Sequence, residues 1–294
     1  MSLVFLWAIL ATLLFVAKPH SSAQAGIMVD GREPTYETLA QSTQFDSIGR
    51  FVEGARISGT LIAPDWVLTV GHVGTVSNFQ IRGTGTMYGI AEIIRHPSFV
   101  SVGLGSDLAL IRLNTAVVGV TPASIYRGIN EIGQLATITG FGVGGVGSQG
   151  IANLPALQRA GTNVIDQVFN FANGAQNSAL LTDFDGPNGL NNTTGSSAVT
   201  THEYQLATGD SGGGMFIFEN GEWKLAGINS GISQAGNSTN ELSYGSISVY
   251  TRVSSFQSYI DSITAVPEPS SFALAAIGAG ALIYAGRRRN TTKS

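Results

Sequence analysis

Ser211 lies in Gly209-Asp210-Ser211-Gly212-Gly213, and the chain also carries His72 in Thr69-Val70-Gly71-His72 and Asp107 in Ser106-Asp107-Leu108-Ala109-Leu110. A serine hydroxyl is a weak nucleophile at neutral pH. It attacks a carbonyl when an imidazole takes its proton, and the imidazole serves best when a buried carboxylate fixes its tautomer. All three residue types are present, in the order His, Asp, Ser. Glycine around the serine leaves room for backbone N–H groups to approach a developing negative oxygen.

That order separates two architectures. Gly209 to Gly213 also fits G-x-S-x-G, the strand-to-helix elbow of α/β-hydrolases, but there the histidine follows the serine. Here the last histidine is His202, so the elbow reading fails. With its flanks, the chain resembles the trypsin/chymotrypsin-like serine proteases. The resemblance rests on Ser58 to His72 (SGTLIAPDWVLTVGH), on Asp107 to Leu113 (DLALIRL), on Gly209 to Gly214, and on Val249-Tyr250-Thr251-Arg252-Val253. It spans roughly Phe51 to Ile263.

The resemblance implies an all-β fold of two six-stranded antiparallel β-barrels, with the active site in the cleft between them and a C-terminal helix. His72 would be the general base and Asp107 its orienting acid. Ser211 would be the nucleophile, with the N–H groups of Gly209 and Ser211 as the oxyanion hole. Asp210 would be a structural buried acid, paired in the family with a freed N-terminal amine. Here the candidates are the amine at Gly26, one exposed by further trimming, or a nearby side chain. By alignment on the serine motif, Gln205 stands at the base of the substrate pocket with Leu206 beside it. Asn229, Ser230 and Gly231 form a wall, and Ser248 narrows the space. With no carboxylate at the base, cleavage is expected after a medium-sized neutral residue unless Glu203 or Glu241 reaches in. No cofactor and no metal is expected at the site.

The two ends of the chain read as addresses. Leu3 to Ala17 is an apolar run ending before Ala23-Gln24-Ala25, so residues 1–25 read as a signal peptide cleaved after Ala25, although no Lys or Arg precedes the run. Residues 26–265 form the protease-like domain. In residues 266–294, Val266-Pro267-Glu268-Pro269 precedes the apolar run Phe272 to Gly286 and Arg287-Arg288-Arg289. This tail resembles the PEP-CTERM sorting signal, which implies an exosortase-type partner, transient membrane anchoring by a short transmembrane helix, and release to the periplasm, envelope or exterior. A permanent anchor is the alternative at either end.

Between those ends lie ten Lys and Arg against eighteen Asp and Glu, and the whole chain has no cysteine. An acidic surface argues against nucleic acid as a partner, and stability must come from the core without disulfides. Short apolar runs punctuated by glycine indicate strands: 60–62, 67–70, 88–94, 108–113, 135–139, and a hairpin of 215–218 with 223–228. The one helix expected is terminal, capped by Ser254. Gly142 to Gly147 is a literal G-x-G-x-x-G, but nothing helical follows, so it reads as a turn between barrel halves. Pro187 excludes an EF-hand over Asp183 to Gly189, which reads as a polar surface turn, with another kind of calcium site as the alternative. Residues 191–201 read as a mobile loop. His96 reads as a surface residue, and His202 lies near the pocket in sequence. Two other functions compete with a protein-cleaving enzyme: an inactive, surface-displayed binding protein on the same scaffold, and an esterase using the same three residues.

Overall fold

A computed structural model describes residues 26–52, 57–152, 157–171, 174–233 and 242–264. The expected signal, the sorting tail and Glu241 lie outside the described residues. Among the described residues, no helix is long and apolar enough to cross a membrane. Residues through Gln257 form one compact unit, and Ser258 begins another, whose described part continues a short helix.

The described chain opens with β1 (Ile27–Met28) and α1 (Glu33–Ala40). Helix α1 escaped the sequence reading. Pro34 suits its first turn, but its buried residues are only Tyr36 and Ala40, too sparse a stripe to show as helical periodicity. Six strands follow: β2 (Ile48–Phe51), β3 (Ser58–Ala63), β4 (Trp66–Thr69), β5 (Asn78–Ile81), β6 (Met87–Arg95) and β7 (Ala109–Leu113). They pair in the order β2-β3-β4-β7-β6-β5 and close into a barrel. Its strands are strongly apolar, with Val67, Leu68, Phe79, Ile81, Leu110 and Ile111 fully buried. The consequence for the site lies in one register. Strands β4 and β7 are antiparallel with Thr69 opposite Ala109. The residues just after β4 and just before β7 therefore emerge at the same end, and these are His72 and Asp107.

The rest of the unit contains β8 (Ser124–Ile125), β9 (Leu135–Gly140), β10 (Gly145–Val146), β11 (Gly150–Ile151), β12 (Arg159–Val164), β13 (Gln167–Phe169), β14 (Ala179–Asp183), β15 (Tyr204–Gln205), β16 (Gly214–Glu219), β17 (Glu222–Ser233) and β18 (Ile247–Arg252). The larger sheet runs β12-β9-β16-β17-β18-β14-β13, with β8 beside β17. A smaller one runs β11-β10-β1-β15. The pairing thus closes one barrel, and the second half is an open path. Its two end strands, β12 and β13, are neighbours in the chain, separated by Ile165 and Asp166. The β16–β17 hairpin turns on Asn220-Gly221 at φ 54° and 83°, the paired positive values of a tight type I′ turn.

Four expectations are corrected. Ser254 lies inside a short 3-10 turn, Val253–Phe256, ahead of α2 (Gln257–Thr264), and its hydroxyl donates to Glu131 Oε1 at 2.7 Å instead of capping a helix. The glycine-rich stretch is not a turn between halves. Gly145 and Val146 pair with β1, and Gly142 lies against the Asp210 loop. Asp183 and Asp185 are buried rather than in a surface turn. Residues 193–200 are strapped to buried carboxylates: Thr193 and Thr194 N–H to Asp183, Ser196 N–H to Asp166, and Thr200 to Glu203.

Candidate active site

The loop after β4 and the loop before β7 deliver an imidazole and a carboxylate to one point. His72 Nδ1 lies 2.8 Å from Asp107 Oδ2, and the His72 backbone N–H donates to Asp107 Oδ1 at 3.0 Å. Asp107 is 2% exposed. The Ser230 hydroxyl donates to Asp107 Oδ2 at 2.6 Å, and the Asp107 carbonyl accepts from Thr251 Oγ1 at 2.7 Å. Both later contacts come from the second half, Ser230 on the carboxylate and Thr251 on the main chain, so Asp107 is gripped from both sides. With Asp107 accepting at Nδ1–H, the other ring nitrogen is left to accept a proton. That nitrogen, Nε2, lies 3.0 Å from Ser211 Oγ.

Ser211 is placed by the loop between β15 and β16. Gly209 sits there at φ +95°, a conformation that side chains with a Cβ rarely adopt. The Ser211 carbonyl accepts from Ser58 N–H at 2.7 Å, fastening the loop to β3 of the barrel. Among the described residues, the N–H groups of Gly209 and Ser211 make no hydrogen bond, and both residues line a cavity of about 450 Å³.

Asp210, fully buried beside the serine, has its partners close by. Gly142 N–H donates to Oδ1 at 2.8 Å, Ala207 N–H to Oδ2 at 2.9 Å, and the Tyr204 hydroxyl to Oδ2 at 3.4 Å. The backbone N–H of Gly26 is a further donor. Burial still pushes this carboxyl up to about 7, against the opposing pull of those hydrogen bonds. The requirement for a partner is therefore met by backbone and hydroxyl groups, and Gly26 is one of them.

The pocket residues divide. Leu206, Asn229, Ser230 and Gly231 line the cavity with His72 and Ser211. Gln205 and Ser248 are fully buried behind it. The Ser248 hydroxyl donates to Gln205 Oε1 at 2.9 Å, and β15 holds Gln205 against β1. Neither side chain presents itself to the cavity, because strand pairing turns both inward. Glu203 does not reach it either: its Oε2 accepts from Thr200, and burial raises its carboxyl to about 8. Sequence reasoning missed Ile232, which lines the cavity with Val76 and Ile57. The signal available in sequence was its place directly after the wall residues 229–231. Ser230, read as a wall residue, also serves as the third donor to Asp107. His202 packs its ring edge-on to Tyr36 at 5.2 Å, and His96 packs against Phe256 at 5.0 Å. Neither histidine lines the cavity.

Among the described residues, no group of three or more His, Asp or Glu is arranged to hold a metal ion. A family model described as Trypsin matches residues 42–260, and one for the PEP-CTERM protein-sorting motif matches residues 265–289. Chymotrypsin-like elastase family member 1 of Felis catus is 27% identical over 227 residues, which cover 70% of this chain and 78% of that protein.

Proposed function

This chain belongs to the trypsin family, and from that premise we propose that it is an exported serine endopeptidase acting through an acyl-enzyme. The observation that carries the reading is the hydrogen-bonded series Asp107–His72–Ser211, with contacts of 2.8 and 3.0 Å. As Ser211 Oγ attacks a peptide carbonyl, His72 Nε2 takes its proton and later returns it to the leaving amine. Asp107 holds the tautomer and stabilises the imidazolium. The tetrahedral oxygen is received by the N–H groups of Gly209 and Ser211, and losing one such donor costs about 3 kcal/mol of transition-state stabilisation. Water then repeats the sequence on the acyl-enzyme.

In the same reading, the second half is the second six-stranded barrel. It is closed by treating β12 and β13 as one strand bent at Ile165–Asp166, and the cavity is the mouth of the cleft. The bend is supported by Ile165 N–H donating to Gln134 O and Asp166 N–H to Leu181 O, at 3.0 and 2.9 Å. Cleavage after Ala25 turns the Gly26 N–H into an ammonium group beside Asp210, which makes signal removal the step that supplies the family's N-terminal partner. Substrates present a medium-sized neutral side chain, since the cavity wall is formed by Ile57, Val76, Leu206 and Ile232. The matched sorting motif indicates export and sorting to the envelope. An exosortase-type enzyme removes the tail near Pro267 after transient anchoring.

The test is a paired assay on the processed protein. Fluorophosphonate should label Ser211, which an inactive binding scaffold would not allow. Digestion of casein alongside a short ester then separates a peptidase from an esterase. Labelling of wild type without peptide hydrolysis would leave the esterase reading in its place.

A further inference from the structure

Asn229 is fully buried in β17, and the reaction above uses none of its side-chain atoms. Its Nδ2 donates to Thr139 O at 3.0 Å and to Asp210 O at 3.1 Å, while Oδ1 has no partner. The amide orientation follows from its surroundings, because the reverse would set Oδ1 against two carbonyl oxygens. A buried amide oxygen without a partner is costly, and a strand interior favours valine or another apolar residue. The two N–H bonds of this amide must therefore accomplish something that an apolar side chain does not.

What they hold is informative. Asp210 O is the carbonyl of the peptide unit whose N–H belongs to Ser211. The chain has no cis peptide among its described residues, and in a trans peptide C=O and N–H point in opposite directions. A donor fixed on that carbonyl therefore aims the Ser211 N–H the other way. The companion N–H of Gly209 is governed similarly, since Thr208 O accepts from Val143 N–H at 2.7 Å. Gly213 N–H gives Asp210 O a second bond at 3.0 Å. The Asn229 main chain grips the same loop, with its N–H on Gly213 O and its carbonyl under Gly212 N–H, both at 2.8 Å. Gly213 permits this approach: a Cβ there would stand 2.6 Å from Asn229 Nδ2 and 2.2 Å from Thr139 O.

We propose that Asn229 is a positioning residue for the oxyanion hole, its amide locking the Asp210–Ser211 peptide with the N–H facing the cavity. The inference rests on the protease reading above. A bond to the carbonyl also polarises the peptide, which makes its N–H a stronger donor to a negative oxygen.

Asn229→Leu keeps the approximate shape and removes both donors. The expected result is a fall in kcat of about 10- to 100-fold with KM little changed, the pattern for a group felt only in the transition state. A peptide aldehyde, whose adduct with Ser211 carries the oxyanion, should lose affinity in step with kcat/KM. The corresponding alcohol forms no adduct and should bind both proteins alike. Asn229→Val runs in parallel in case leucine does not fold, with thermal melts for both. Folded variants with wild-type kcat and aldehyde affinity overturn the inference and leave the protease reading standing. A processed wild type inert to fluorophosphonate and peptide overturns both. If neither variant folds, Asn229 is a folding determinant and the inference fails.

Discussion

The half that supplies His72 and Asp107 and the half that supplies Ser211 treat buried charge in opposite ways. Through the strands of the closed barrel, Asp107 is the one buried carboxylate among the described residues, and it sits against an imidazole. From Glu131 to Arg252 there are six: Glu131, Asp166, Asp183, Asp185, Glu203 and Asp210. Glu131 is held bidentately by Arg252, at 2.9 and 2.7 Å. Burial pushes its carboxyl up, but the bonds from Arg252 and Ser254 outweigh that and hold it below the usual range. Asp166, Asp183, Glu203 and Asp210 lean instead on backbone N–H groups and hydroxyls, and Asp185 Oδ1 has no partner. Burial raises Asp166 and Asp185 to about 7, with the nearby Asp183 charge adding to it. The lesson is that the half carrying His72 and Asp107 buries a single carboxylate and pairs it with an imidazole, whereas the half carrying Ser211 buries several that are satisfied mainly by neutral donors.

The largest effects should come from breaking the contact between the halves. Ser211→Ala should abolish peptide hydrolysis with the fold intact by circular dichroism. His72→Ala and Asp107→Asn should each lose about 10³-fold or more in kcat/KM, and double variants should lose little more. Rates for Ser211→Ala equal to wild type would sink the assignment. Next comes the wall of the cavity. Ile232→Ala should raise kcat/KM for substrates with larger neutral side chains by about 10- to 100-fold relative to small ones, as read from a peptide-library profile. A profile dominated by Lys and Arg, in wild type or variant, would show that an acid reaches the cavity after all. Ser230→Ala should cost less, about 10-fold in kcat, because Asp107 keeps both of its bonds to His72; an unchanged pH–rate profile and kcat would show that the serine is mere packing.

The smallest effect sharpens the contrast in charge. Carboxyls raised in the folded state keep protons that the unfolded chain has released. Their contribution is therefore fully present below about pH 4 and is lost as pH rises through 7 to 8. Asp166, Asp185 and Glu203 all act in that direction, whereas the Gly26 ammonium proposed above takes Asp210 out of this group by favouring its charged form. Amide hydrogen exchange, corrected for its intrinsic pH dependence, should show residues 191–201 losing protection between about pH 5 and 8, while β4 and β7 keep theirs. Equal behaviour in both regions would erase the distinction.

The sequence alone names the residues of the chemistry proposed here and marks four of the six strands of the barrel that carries two of them; β2 (IGRF) and β5 (NFQI), with two apolar residues each, leave too short a pattern to read. Strands β3, β4 and β7 carry dense, regularly spaced apolar residues, and the register of β4 on β7 then brings His72 and Asp107 to one end. The hairpin of β16 and β17 was equally legible, because Asn220-Gly221 announces its turn locally. Tertiary structure decided the rest, for reasons that act over long sequence separations. Gln205 reads as a pocket residue until β1, some 180 positions earlier in the chain, pairs with β15 and turns it inward. Asp183 and Asp185 read as surface polar groups until β14 is packed between β13 and β18. Asn229 reads as one wall residue among several, and its amide has meaning only once Thr139 and the Asp210 carbonyl lie within 3.1 Å of it. A nucleophile and its base declare themselves by residue type, since few side chains can do that work. The groups that aim a backbone N–H are ordinary residues, and only their partners in space distinguish them.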